Sequence, residues 1–188
     1  MYNASDLRKG LKIELDGEPY CITEFDFRKP GKGQSIYRCK LRHMINGTGM
    51  EKSFRTADKI GKPDLMERDM IYSYDDGMSY VFMDPTTYDQ IHVAPEVIGD
   101  LKYFLKEDIE CEVLFYQDRP IEVTLPNFIE AEITETEPGA RGDTATNVTK
   151  PAKIENGYEI AVPLFVNQGD LVKIDTRTGQ YSERVSKA

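Results

Sequence analysis

At 188 residues and 39% apolar composition, the chain is too long for one small domain and too polar for one very large core, so two or three small domains are expected. No run of about 18 apolar residues exists, which excludes a membrane-spanning helix. The start, Met1 to Asp6, lacks a basic stretch followed by an apolar one; no secretory leader and a cytoplasmic protein are expected. A net charge of −9 argues against a nucleic-acid partner until it is resolved along the chain: residues 1–64 carry +4, 65–128 carry −10 and 129–188 carry −3. Within 28–62 stand ten cations (Arg28, Lys29, Lys32, Arg38, Lys40, Arg42, Lys52, Arg55, Lys59 and Lys62) against Glu51 and Asp58. One end suits a polyanion and the middle repels it, so the charge orients the molecule.

In chain order, Leu11 to Leu15 alternates apolar and polar, Asp16-Gly17 marks a hairpin turn, and Pro19 to Ile22 begins the return. Glu24 to Phe27 runs outward into the loop Lys29-Pro30-Gly31-Lys32-Gly33-Gln34. Ser35 to Arg42 comes back with Tyr37, Cys39 and Leu41 on one face and Arg38, Lys40 and Arg42 on the other, because strand side chains alternate. That pattern describes either a cationic stripe for RNA or an ordinary solvated strand face. Gly61 to Asp64 breaks the texture and sets a boundary. Met70 to Tyr74 and Met78 to Met83 then read as a hairpin around Asp75-Asp76-Gly77, and Val97, Ile98, Leu101, Phe104 and Leu105 predict one amphipathic helix over 94–105 with Pro95 in its first turn. Ile109 to Tyr116 and Ile121 to Leu125 complete a five-strand order with a helix before the fourth strand, which fits an oligonucleotide-binding fold. The last third predicts strands over 129–134, 158–162, 164–166, 171–175 and 181–185, with a long Gly/Thr/Asn-rich loop over 138–150 and no strict repeat of the preceding segment. The division is therefore 1–64, 65–128 and 129–188, three small β-barrel domains in a mostly β chain.

The chemistry-bearing patterns are missing: no GxSxG, HExxH or GxxxxGK[ST], and Gly31 and Gly33 lack the third glycine of GxGxxG. No enzyme, catalytic residue or cofactor is expected. Cys21, Cys39 and Cys111 are odd in number and far apart, so free, buried thiols are predicted, and His43 and His92 lack ligand spacing for a metal. Asn-x-Ser/Thr triplets and Arg141-Gly142-Asp143 are too short to carry weight. The strongest local signal is the loop 29–34. Pro30 restricts its own φ and that of Lys29, while Gly31 and Gly33 flank Lys32 with residues open to unusual turns, thrusting one lysine out at a hairpin tip beside cationic strands.

These residues carry a resemblance. Lys29 to Gln34 looks like the tip loop of the elongation factor P family. Lys150-Pro151-Ala152, Gly157 and Ile160 to Gly169 resemble its C-terminal signature, which Val172 to Gly179 continues; Leu11 to Tyr20, Pro126-Asn127-Phe128 and Gly142 to Ala145 are also similar. The resemblance implies an SH3-like (KOW-like) first domain, two oligonucleotide-binding-type domains and an L-shaped, tRNA-like monomer. It implies binding to the ribosome, through rRNA and ribosomal proteins, between the P and E sites when translation stalls on consecutive prolines. Lys32 matches the lysine that the family extends, commonly by β-lysylation by an enzyme resembling lysyl-tRNA synthetase. The RNA-binding set expected is the cations Arg28, Arg38, Lys40 and Arg42, facing rRNA or tRNA, together with the positions the resemblance implies: Gly142, Asp143 and Thr144 toward the E-site codon of mRNA, and Tyr181 with Arg184 toward the small subunit. The alternatives are the elongation-factor-P-like paralogue, against which the intact Pro30-Gly31-Lys32-Gly33 speaks, and a general single-strand nucleic-acid-binding module, which the −10 and −3 of the later segments disfavour.

Overall fold

Apolar–polar alternation becomes strand along much of the described chain. The computed structural model describes residues 1–139 and 148–188. Their contacts gather into two units, Met1–Glu67 with Leu114–Ile121, and Arg68–Val113 with Glu122–Ala188.

In the first unit the strands are β1 (Tyr2–Asn3), β2 (Lys12–Leu15), β3 (Glu18–Arg28), β4 (Ile36–His43), β5 (Gly49–Arg55) and β6 (Lys59–Ile60). Strands β2 to β5 form an antiparallel sheet in chain order, and β1 pairs with β6. Asp16 and Gly17 both take positive φ, 52° and 77°, the tight hairpin geometry that the Asp-Gly pair favours. Ile13, Ile22, Cys39, Leu41, Phe54 and Ile60 are buried together with Ala4, Leu7 and Leu11. His43, which the sequence excluded as a metal ligand, is a structural pin. Its Nδ1 accepts the backbone N–H groups of Ile45 and Asn46 at 3.1 and 3.2 Å, so its Nε2 carries the proton and donates to Glu18 Oε2 at 3.0 Å.

The second sheet contains β7 (Leu65–Asp75), β8 (Tyr80–Met83), β9 (Gln90–Val93), β10 (Glu110–Tyr116) and β11 (Arg119–Thr124), in the order β11-β10-β7-β8-β9. Strand β9 escaped the sequence reading because four residues carry too little periodicity. The predicted twelve-residue helix is shorter: a single α turn, α1 (Pro95–Ile98), gives way to a 3-10 turn over Gly99–Tyr103. Gly99, at φ 51°, ends the α turn, a conformation glycine adopts without steric cost.

The third sheet contains β12 (Phe128–Thr136), β13 (Thr149–Ile154), β14 (Glu159–Pro163), β15 (Leu171–Asp175) and β16 (Gln180–Ser186), in the order β14-β13-β12-β15-β16. Numbered from its own first strand, each of these two sheets runs 5-4-1-2-3, so the topology repeats where the sequence does not. Residues 164–166, expected as strand, are turn and irregular chain. The reason is local: Asp170 Oδ2 accepts the N–H of Asn167 at 2.9 Å, and Asp170 donates its own N–H to the Asn167 carbonyl at 3.1 Å, which folds 164–170 back on itself.

The second unit is tied internally by Asn156. Its Nδ2 donates to the Leu105, Tyr103 and Lys102 carbonyls at 2.8, 3.2 and 3.3 Å, capping the 3-10 turn that α1 feeds. Tyr158 packs its ring against Tyr103 and Phe104 at 5.2 and 5.1 Å between centroids. Lys106 Nζ donates to Glu155 Oε1 at 3.0 Å, and the same oxygen accepts the Glu132 N–H. Among the cysteines, Cys39 and Cys111 are buried and free, with burial pushing the Cys111 thiol up to about 12, whereas Cys21 is only half-buried. Among the described residues no helix is long and apolar enough to cross a membrane.

Candidate nucleic-acid interface

The loop 29–34 joins β3 to β4 at the end of the first sheet, and every residue in it is exposed. Lys29 and Lys32 have no hydrogen-bond or ion-pair partner among the described residues. Of the two glycines beside Lys32, only Gly33 takes a left-handed backbone, φ 124°; a Cβ there would stand 3.7 Å from Pro30 Cγ. Gly31 lies outside that region and has open space around it, so its expected role in the turn is not required by geometry. Below the loop, Phe27 and Tyr37 stack at 4.9 Å, and Tyr37 leans on Phe25 at 6.3 Å. This ladder lies on the face of the sheet opposite Arg28 and Arg38 and stiffens the two strands carrying the tip.

The outer face follows from register. The strand pairs put Arg28, Ile36 and Arg55 in one row nearest the loop, Asp26, Arg38 and Ser53 in the next, and Glu24, Lys40 and Glu51 in the third. All nine are exposed. The stripe of Arg38, Lys40 and Arg42 therefore exists, yet its members differ. Lys40 Nζ meets Glu24 Oε2 at 2.9 Å, and that hydrogen bond with its accompanying attraction holds the ammonium above the usual lysine range, with Glu51 adding to it. Arg28 Nε donates to Asp26 Oδ2 at 3.1 Å. Arg38, Arg42 and Arg55 have no side-chain partner among the described residues. Arg55 entered the cation count but not the expected RNA-binding set. Its alternation with buried Phe54 marked it as outward-facing; its neighbours could be known only from strand pairing.

The C-terminal residues are placed differently. Asp170 is 2% exposed, and Arg184 lies beside it with Nη1 at 3.5 Å from Asp170 Oδ2 and 3.2 Å from the Phe165 carbonyl, its guanidinium 4.8 Å over the Phe165 ring. Burial alone raises the Asp170 carboxyl, but the N–H groups of Asn167 and Ala188 and the charge of Arg184 outweigh it and hold the group below the usual carboxylate range. Tyr181 is half-buried on the same strand, and burial pushes its hydroxyl up. Gly142, Asp143 and Thr144 lie outside the described residues.

Three family models divide the chain between them: an elongation factor P KOW-like domain over residues 3–60, an elongation factor P OB domain over 65–123, and the elongation factor P C-terminal domain over 129–184. Proteins named elongation factor P are similar over the whole length. That of Desulfosudis oleivorans is 52% identical over 187 residues and that of Desulfotalea psychrophila 49%, each match covering 100% of both chains. Among solved structures, an initiation factor 5A from Methanococcus jannaschii superposes with a TM-score of 0.56 at 24% identity, covering 66% of this chain and 91% of the other, a likeness of fold.

Proposed function

The chain belongs to the elongation factor P family, translation factors rather than enzymes, and from that premise we propose that it binds the ribosome between the P and E sites and promotes peptide-bond formation at consecutive prolines. The observation that carries this reading is Lys32: an unpaired lysine at a fully exposed tip, beside a face bearing unpaired arginines, in a chain whose later segments are acidic. Proline lacks conformational freedom about φ, so a prolyl-tRNA is hard to align for attack. The ribosome supplies the chemistry, and orientation is what a bound factor can add. Fully realised, orientation is worth roughly 7 to 11 kcal/mol, of which a small part restores a tenfold or hundredfold loss.

In this reading Lys32 is lengthened by a modifying enzyme resembling lysyl-tRNA synthetase and reaches the end of P-site tRNA, while Arg28, Arg38, Lys40 and Arg42 face the tRNA backbone. Gly142, Asp143 and Thr144 approach the E-site codon of mRNA, and Tyr181 with Arg184 meets the small subunit. The domains divide at 64/65 and 128/129, and the protein works as a cytoplasmic monomer. Because Arg184 already holds Asp170 and Phe165, its share in RNA contact is the smallest of the set.

Lys32→Ala tests this function. The variant keeps the wild-type melting curve and loses relief of stalling on a polyproline message in reconstituted translation; full activity would sink the tip mechanism. Mass spectrometry of the Lys32 peptide from the native cell shows an added mass.

A further inference from the structure

The row nearest the loop has a composition that no local motif announces. Arg28, Ile36 and Arg55 come from three successive strands and are brought level by pairing alone. Adjacent strands lie about 4.8 Å apart, so the two arginines flank Ile36 with their Cα atoms about 10 Å from each other, within reach of convergence by two long side chains. Arg38, two residues along β4 from Ile36, points the same way and closes a triangle.

Charge falls off along this face in steps. In the first row there is no acid; in the second Asp26 stands against Arg38; in the third Glu24 and Glu51 flank Lys40. Asp26 takes only the Nε of Arg28, which leaves the two terminal amino groups of that guanidinium toward solvent. Ile36 is 42% exposed at the centre, an apolar floor beside groups that shed water more readily than an ammonium does. Guanidinium forks match the oxygens of a phosphodiester.

We propose that Arg28 and Arg55 of the row nearest the loop, with Arg38 of the next row, act together as one phosphate-binding cluster floored by Ile36, and that Arg55 is a point of contact with an RNA backbone beside the Lys32 tip. This rests on the ribosome-binding reading for the identity of the RNA, but not for the chemistry of the cluster. Lys40, neutralised by Glu24, contributes less than Arg55, although Lys40 belongs to the expected stripe and Arg55 does not.

Full-length protein is titrated against ribosomes carrying P-site tRNA, and separately against a short RNA hairpin with a single-stranded 3′ end, over a range of salt. Arg55→Gln weakens binding several-fold and lowers the slope of log affinity against log salt by roughly 0.7 to 0.9, the value for one phosphate contact. Lys52→Gln removes the same charge from the same strand on the opposite face and leaves the slope unchanged. Arg55→Gln melts with the wild type, because Asp58 holds the Arg55 backbone N–H and not its side chain. An unchanged slope for Arg55→Gln on both RNAs overturns the cluster, as does an equal loss from Lys52→Gln, which reduces the effect to net charge. Failure of the wild type to bind either RNA, or the same slope change on polyglutamate, overturns the RNA assignment. Dependence on Arg55 with the hairpin but no binding to ribosomes keeps the cluster and removes the ribosomal reading.

Discussion

Across β3, β4 and β5, Arg38, Arg42 and Arg55 stand in solvent with no side-chain partner among the described residues; in the C-terminal region Arg177, in the turn after β15, is paired with Asp175, and Arg184 of β16 is held by Asp170 and Phe165. Both regions are antiparallel sheets with arginines at exposed or half-exposed positions. What separates them is where the nearest carboxylate lies. Asp170 is buried and has folded 164–170 around itself, so the arginine beside it completes a structure. Around Arg38 and Arg55 no acid is buried; Asp26, across from Arg38, is exposed and bonds Arg28 instead, so the charge of Arg38 and Arg55 remains available to a partner. A cation's function is thus settled by its neighbours across strands rather than by the run of sequence in which it occurs.

Removing the buried acid breaks this contrast most severely. Asp170→Ala leaves Arg184 half-buried without its carboxylate and strips two backbone N–H groups of their acceptor, at a cost of about 3 kcal/mol in chemical denaturation. Arg38→Ala, with nothing to release, stays within about 0.5 kcal/mol of the wild type. Comparable losses for the two would erase the distinction.

At the tip the expected effect is smaller and local. Gly33→Ala forces a side chain into φ 124°, a strain of about 1 to 3 kcal/mol that the loop relieves by moving, so polyproline activity falls while global stability is kept. Gly31→Ala, with open space and no left-handed backbone, retains activity. The pair is read in the translation assay used for Lys32.

Acid provides the mildest test. Because the Asp170 carboxyl is depressed in the folded state, its contribution to stability is present above its unfolded value of about 3.9 and is lost as pH falls through the lower folded value. Urea midpoints of the wild type therefore drop more steeply below about pH 4 than those of Asp170→Asn. Parallel curves would show that the carboxylate is not specifically held.

Much of this was legible in the sequence. The alternation of Tyr37, Cys39 and Leu41 with Arg38, Lys40 and Arg42 gave the two faces of β4, and the observed burial of Cys39 and Leu41 agrees. The Asp16-Gly17 pair forms the hairpin turn its composition implies, and most strands of five or more residues follow their apolar–polar alternation. Other elements carry no such signal: β9 has only four residues, β5 buries only Phe54, and β13 starts at Thr149 inside the expected loop 138–150 with Lys150 and Pro151 interrupting its apolar pattern. Residues 164–166 alternate like a strand yet turn, and Gly99 cuts the expected helix to one α turn, because apolar periodicity does not register a hydrogen bond made by Asp170 or a backbone angle at one glycine. Arg184 was grouped with the RNA-facing cations on family likeness, and only its distance to Asp170 reveals a structural task.

By itself the sequence determined the side-chain alternation of the strands, the polarity of charge from a basic first third to an acidic middle, and an exposed lysine between Pro30 and Gly33. These are properties of neighbouring residues, and local physics is enough to fix them. The 5-4-1-2-3 order shared by two sheets without a sequence repeat, the cap that Asn156 places on the 3-10 turn, and the level row of Arg28, Ile36 and Arg55 came only from tertiary structure. Each depends on which strands or loops meet and in what register, a choice made by the burial of whole faces, and a shift of one residue would have turned Arg55 inward.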